Sequence, residues 1–84
     1  MNIENEIREY ILSDLLFDRQ GLFISNDEEI LEKKIIDSMA LVQLISFIEE
    51  QYGISIEDED LVIENFRSIS HIRNFILRKK DNAS

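Results

Sequence analysis

Residues 37–54, DSMALVQLISFIEEQYGI, decide the fold class of this chain. Apolar residues recur in this stretch at three- and four-residue spacing, which predicts a helix from Ser38 to Tyr52. Asp37 is suited to cap the first turn through its carboxylate, and Gly53 is suited to the left-handed residue that ends a helix. Val42, Ile45, Ile48 and Tyr52 are predicted to mark one inward face, with Met39, Leu41 and Leu44 flanking it.

The residues before this stretch predict one helix and one long connection. The first helix is expected over residues 3–17 and ends around residues 18–21. The connection, residues 18–36, is apolar at Leu22, Phe23 and Ile24 and is therefore expected to pack over the bundle. Residues 27–34 are suited to a short helical turn. The stripe of the first helix consists of Ile3, Ile7, Tyr10, Ile11 and Leu15.

The residues after it predict a short helix and a final helix. Residues 54–56 are interpreted as an extended loop, and residues 57–60 as an acidic turn. A short helix is expected around Glu64–Arg67, with Phe66 as its core anchor. The last helix is predicted over Ile69–Lys79, capped by Ser68, with Ile69, Ile72, Phe75 and Ile76 facing inward and a fraying tail over residues 81–84. The chain is thus read as one all-α domain, residues 1–84.

Composition excludes several kinds of site. The 84 residues include no cysteine and one histidine, so disulfides, thiolate zinc sites and a histidine-rich metal cage are excluded. The net charge of −9 argues against nucleic-acid binding and favours basic partners. No apolar run is long enough to span a membrane, and the charged N-terminus does not read as a signal peptide, so a cytoplasmic location is expected.

Ser38 is the candidate for chemistry. Serine at a helix start is usually a cap, but Asp37 already supplies that cap and leaves the Ser38 hydroxyl free. A helix N-terminus also favours a phosphate group. The single histidine, His71, lies on the last predicted helix and is interpreted as an ordinary helix residue, so Ser38 lacks an activating base.

The order of these segments resembles the carrier proteins of fatty acid, polyketide and nonribosomal peptide synthesis. That family has an Asp-Ser-Leu or Asp-Ser-Met motif at the start of an apolar helix. This helix ends in acidic residues, an aromatic residue and Gly-Ile. An acidic turn, a short helix and a last helix follow. The corresponding segments here are Asp37-Ser38-Met39, residues 41–54, residues 57–61, residues 64–66 and residues 68–75. The match covers about residues 30–79. Two departures are the absence of a glycine near Lys34 and Ile35 and the presence of Glu57 where proline is common.

The resemblance implies a four-helix carrier bundle, with three main helices, one short helix and a long first loop. It implies that 4'-phosphopantetheine is attached to Ser38 by a phosphopantetheinyl transferase, that Asp37 contacts the transferase or its metal, and that the arm carries acyl or aminoacyl groups as thioesters. The carrier is expected to be a stand-alone monomer, with a module excised from a larger synthase as the alternative. It would itself catalyse nothing and would bind no metal. Its partners would be the transferase, loading enzymes and downstream synthases.

The partner surface is expected on the exposed side of the second predicted helix. An alternative leaves Met39 and Ala40 packed against the preceding loop. Two rival functions remain, an acidic interaction protein in which Ser38 is only a cap and, more remotely, a small hydrolase. The cargo and pathway stay open. The candidate surface residues are Met39, Ala40, Gln43, Ser46, Glu49 and Glu50.

Overall fold

The computed structural model describes residues 2–16 and 23–82, and the helical fold class is confirmed. These residues contain no β-strand. None of their helices is long and apolar enough to cross a membrane. The elements are α1 (Ile3–Tyr10), continued by a π-helical segment (Ile11–Leu15), α2 (Ser38–Tyr52), a 3-10 turn (Asp58–Asp60), α3 (Ile63–Phe66) and α4 (Ile69–Asn82).

The first helix begins as the sequence predicts but changes winding. Asn2 caps α1, because its side chain accepts a hydrogen bond from the Asn5 N–H at 3.0 Å. Ile3, Ile7 and Ile11 are buried at four-residue spacing, which confirms the centre of the predicted stripe. The α-helical winding ends at Tyr10, however, and the following π-helical turn ends at Leu15. The predicted stop at residues 18–21 lies outside the described residues.

The bounds of α2 agree with the prediction, but its inward face does not. Leu44, Ile48 and Tyr52 are buried at four-residue spacing and form the core face. Val42 is 60% exposed, so its assignment to that face was wrong. The Val42 position is rotated by about 200° from Leu44 on a 3.6-residue helix and therefore lies on another side.

The connection before α2 is held in place by buried isoleucines and by Arg8. Ile24, Ile30 and Ile36 are almost fully buried, as expected for a loop packed on the bundle. The Arg8 Nε donates to the Ile24 carbonyl at 2.7 Å. The expectation that Phe23 packs inward was wrong, because this ring is 73% exposed and lies 5.8 Å from the Arg8 guanidinium. Leu22 lies outside the described residues.

The segments after α2 follow the predicted order with shifted ends. Gly53 adopts φ 64°, the left-handed C′ conformation that its lack of a side chain permits. The short helix α3 covers Ile63–Phe66 rather than Glu64–Arg67. The last helix continues to Asn82, so Asp81 and Asn82 are helical and not part of a frayed tail. Residues 83–84 lie outside the described part of the chain.

Buried aromatic and aliphatic side chains join α3 and α4. The four residues predicted to face inward on α4 are all buried, and the Phe66 and Phe75 rings lie 5.4 Å apart. At the C-terminal end of α2, the Tyr52 hydroxyl donates to the Glu6 carboxylate at 2.6 Å. Burial, reinforced by that hydrogen bond, raises the pKa of Tyr52. These contacts join α3 to α4 and the end of α2 to α1.

Ion pairs link α4 to α1 and to the 3-10 turn. Arg73 on α4 contacts Glu4 on α1 at 2.7 Å, and Lys79 contacts Asp60 at 2.8 Å. The hydrogen bond from Lys79 lowers the pKa of Asp60. The acidic turn is therefore partly neutralised by α4. No group of three or more His, Asp or Glu side chains suited to a metal is present in residues 2–16 and 23–82.

Candidate functional site

Asp37 and Ser38 form the entrance of α2. The Asp37 Oδ1 accepts the Ala40 N–H at 2.8 Å, and its carbonyl accepts the Leu41 N–H at 2.9 Å. Asp37 therefore caps the helix, as predicted. Ser38 follows as the first helical residue and is exposed. Among the described residues, no group forms a hydrogen bond with the Ser38 hydroxyl.

The loop that leads into the entrance is fixed by its backbone. Ile36, immediately before Asp37, is 3% exposed, and the N–H groups of Ile35 and Ile36 both donate to the Ile30 carbonyl, at 2.9 and 3.2 Å. Lys34 has φ 56°, a left-handed conformation that costs a side-chain-bearing residue about 1–2 kcal/mol. The family often has a glycine near this position, and a glycine in place of Lys34 would relieve the strain.

The first turn of α2 is compatible with a phosphate on Ser38. The first N–H groups of any helix have no partner within the helix. Asp37 satisfies the N–H of Ala40, and within the described part of the chain no hydrogen bond engages the N–H groups of Ser38 and Met39. Such N–H groups and the positive end of the helix dipole favour an anion. A phosphodiester on Ser38 thus fits the residues that surround it.

The single histidine of the chain contacts Ser68 and not Ser38. His71, the single histidine of the chain, lies on α4, where its Nδ1 is 2.6 Å from the Ser68 Oγ. The Ser68 Oγ also accepts the His71 N–H at 3.3 Å, which supports the prediction that Ser68 caps α4. The histidine is therefore engaged at another helix start.

The predicted partner residues differ in exposure. Met39 is 69% exposed, and Gln43, Ser46 and Glu50 are also exposed. Ala40 is half-buried and packs against the core. The Glu49 carboxylate accepts the Ile56 N–H at 2.8 Å, so it anchors the loop after α2 as well as lying on that surface.

Sequence reasoning missed four exposed apolar residues near the entrance. The sequence predicts that Val42 faces the core and assigns no surface role to Leu61, Val62 and Ile63, which are 50%, 47% and 66% exposed. The position of Leu61, Val62 and Ile63 in the sequence could have indicated their exposure. Three consecutive apolar residues directly after an acidic turn cannot all share one helical face.

Comparisons with known proteins identify the family. The family described as "Phosphopantetheine attachment site" matches residues 6–76. The chain is also 34% identical over 80 residues to an acyl carrier protein of Buchnera aphidicola subsp. Acyrthosiphon pisum (strain 5A), covering 93% of this chain and 98% of that protein. A carrier role follows at the level of the family. By these matches, together with its helical architecture, the chain belongs to the acyl carrier protein family, with its phosphopantetheine attachment domain.

Proposed function

We propose that the Ser38 hydroxyl is the attachment point of 4'-phosphopantetheine. The observation that supports this most strongly is an exposed hydroxyl, without a partner among the described residues, on the first residue of α2. In the attachment reaction, the Ser38 oxygen would attack the pantetheine-bearing phosphorus of coenzyme A. A new P–O bond forms, the bond to the adenosine bisphosphate breaks, and the serine proton passes to the transferase.

The residues around Ser38 have separate roles in this proposal. Asp37 holds the first turn in shape and presents the free part of its carboxylate to the transferase or its metal. The N–H groups of Ser38 and Met39 are available to the phosphate oxygens. Attached there, the arm supplies a terminal thiol that holds an acyl or aminoacyl group as a thioester. The chain has no cysteine of its own, so a thiol has to come from such a group.

The chain itself catalyses nothing in this proposal. Serine nucleophiles need an adjacent base, and the one histidine contacts Ser68 instead. Its partners are the transferase, the enzymes that load the arm and the synthases that use its cargo. The net charge of −9 favours enzymes that present basic surfaces.

Intact mass spectrometry tests the attachment. The purified chain is incubated with coenzyme A and a broad-specificity phosphopantetheinyl transferase, and we expect a gain of one phosphopantetheine. Ser38→Ala is expected to show no gain. Ser55→Ala is the matched control, because Ser55 is also exposed but lies in the loop after α2, and we expect it to be modified like the wild type.

The same experiment separates the rival functions. An unmodified wild-type chain, with the transferase shown to be active on another carrier, would contradict the proposal and favour an acidic interaction protein. Equal modification of Ser38→Ala and the wild type would place the group on another residue.

A further inference from the structure

A cleft between α1 and α2 lies on the flank of α2 that faces away from Ser38. Phe47 lines this cleft and follows Ser38 by nine residues, which is a rotation of about 180° on a helix of 3.6 residues per turn. The cleft has a volume of about 570 Å³. We call it the α1–α2 cleft. The residues of its lining that bear on its chemistry are Glu6, Glu9, Tyr10, Ser13, Asp14 and Phe47.

Two stacked aromatic rings line the cleft. The ring centroids of Tyr10 on α1 and Phe47 on α2 lie 4.1 Å apart, and the ring planes are inclined by 9°. The Tyr10 hydroxyl donates to the Gln43 carbonyl at 3.3 Å, which holds this ring against α2. Burial, together with the negative charge of Asp14, raises the pKa of Tyr10, so the ring stays uncharged. Both rings are half-buried and therefore leave π surface open to a ligand in the cleft.

The charge that lines the cleft has one sign. Three carboxylates line it, and among the described residues no lysine or arginine does. Arg8, on the same helix, donates from its Nε to the Ile24 carbonyl at 2.7 Å and so is directed towards the loop before α2. A cation near an aromatic face is attracted by the ring as well as by the acids. The three carboxylates are those of Glu6, Glu9 and Asp14.

The winding of the first helix changes at the same place. Ser13 and Asp14 line the cleft and lie in the π-helical segment Ile11–Leu15. Turns of this kind are rare and are found frequently at functional sites. The π-helical segment does not depend on the charge of the lining, so it is a separate indication that the cleft binds a ligand.

The spacing of the acids selects the kind of occupant. Glu6 and Asp14 are eight residues apart, which corresponds to about 12 Å along a helix that rises 1.5 Å per residue. A single small cation cannot reach both carboxylates, whereas two or three basic side chains of one polypeptide segment can. Arginine suits the ring pair better than lysine does, because its planar guanidinium stacks on aromatic faces. A second copy of this chain would be repelled, since each carries a net charge of −9.

We propose that the α1–α2 cleft docks an arginine-bearing basic segment of a partner protein. One guanidinium lies against the Tyr10–Phe47 pair, and further basic side chains contact the three carboxylates. Because the cleft and Ser38 lie on opposite flanks of α2, this partner can stay bound while an enzyme acts at Ser38. Only that last consequence rests on the proposed function.

Fluorescence anisotropy with two labelled peptides tests the charge requirement. One peptide has arginine at every fourth position in an alanine background, and the other has lysine at the same positions. We expect the arginine peptide to bind the wild-type chain more tightly than the lysine peptide. Glu9→Lys should weaken binding of the arginine peptide about tenfold, because attraction is replaced by repulsion. Glu32→Lys is the matched control, since Glu32 is equally charged and also exposed but does not line the cleft, and it should weaken binding much less.

Phe47→Leu tests the aromatic requirement. Leucine keeps an apolar side chain against the core but removes the ring, and circular dichroism should show that the variant is folded. We expect its affinity for the arginine peptide to fall about three- to tenfold, the size of a lost cation–π contact. Its affinity for the lysine peptide should fall less, so the preference for arginine narrows.

Amide NMR spectra of the full chain locate the bound peptide. The signals of Glu9, Tyr10 and Phe47 should shift on addition of the arginine peptide, and that of Ser38 should not. The proposal would be overturned by absence of binding, by equal weakening in Glu9→Lys and Glu32→Lys, by an unchanged arginine preference in Phe47→Leu, or by shifts confined to another face. A wild-type chain that binds the peptide but gains no phosphopantetheine would instead contradict the proposed function and leave the cleft intact.

Discussion

Replacing Asp37 by alanine tests its structural role, and replacing it by asparagine separates that role from its proposed contact with the transferase. The substitution removes the 2.8 Å hydrogen bond from the Ala40 N–H, and loss of such a cap costs about 1 kcal/mol. It also removes a negative charge from the positive end of α2, worth about 0.3–1 kcal/mol at an exposed site. We therefore expect the free energy of unfolding to fall by about 1–2 kcal/mol. For a domain of this size, each kcal/mol lowers Tm by about 4–8 °C.

Urea denaturation followed by circular dichroism measures this loss of stability. The Asp37→Asn variant separates the contribution of the hydrogen bond from that of the charge. Asparagine keeps a capping oxygen, so it should recover the hydrogen-bond part and lack only the charge part. Glu50→Ala, which removes an exposed acid from the end of α2, should not destabilise the fold. The reasoning would be refuted by an alanine variant as stable as the wild type, or by an asparagine variant no more stable than alanine. If Asp37→Asn is stable but modified slowly, the carboxylate also contacts the transferase.

Three further sets of changes test the fold by urea denaturation. Lys34→Gly should stabilise the chain by up to about 1 kcal/mol because it relieves the left-handed strain at φ 56°. Gly53→Ala should lower the free energy of unfolding by about 1 kcal/mol because it introduces such strain at φ 64°. Changes of the opposite sign would contradict the assigned backbone conformations. Ile72→Ala should cost about 2–5 kcal/mol because that side chain is fully buried, and a loss below about 1 kcal/mol would contradict its place in the core. The pKa of Asp60 is lowered in the folded state, so the folded chain protonates this carboxylate less readily than the unfolded chain does. The stability that the ionised carboxylate contributes is therefore present above about pH 4 and is lost as the pH falls further. Asp60→Asn should flatten the acid limb of a stability–pH profile, and an unchanged acid limb would contradict the role of its ion pair with Lys79.

Local signals in the sequence were sufficient for the entrance of α2. The capping carboxylate of Asp37, the apolar spacing of the helix and Gly53 predicted the bounds Ser38–Tyr52, which the structure has. Such signals act within a few residues, so they are readable without tertiary context. The same reasoning predicts that Ser68, the residue before α4, caps that helix.

Features decided by packing were not predictable in the same way. Apolar residues surround the first half of α2 on several sides, so sequence could not tell that Leu44 faces the core and Val42 faces solvent. The π-helical segment Ile11–Leu15 has no distinct sequence signal, because its wider turn is set by neighbouring contacts. The end of α4 was placed too early for a related reason. Lys79 and Lys80 resembled a helix end, but they reach Asp60 and the Tyr52 carbonyl while the helix continues.

Fragmentation of the modified protein addresses attachment at Ser38 most directly. Cleavage after Lys34 and Arg67 releases residues 35–67, a peptide that contains the three serines Ser38, Ser46 and Ser55. After reaction with coenzyme A and the transferase, fragment ions should assign the added group to Ser38 alone. Assignment to Ser46 or Ser55, or to a peptide elsewhere in the chain, would contradict the role given to the entrance of α2.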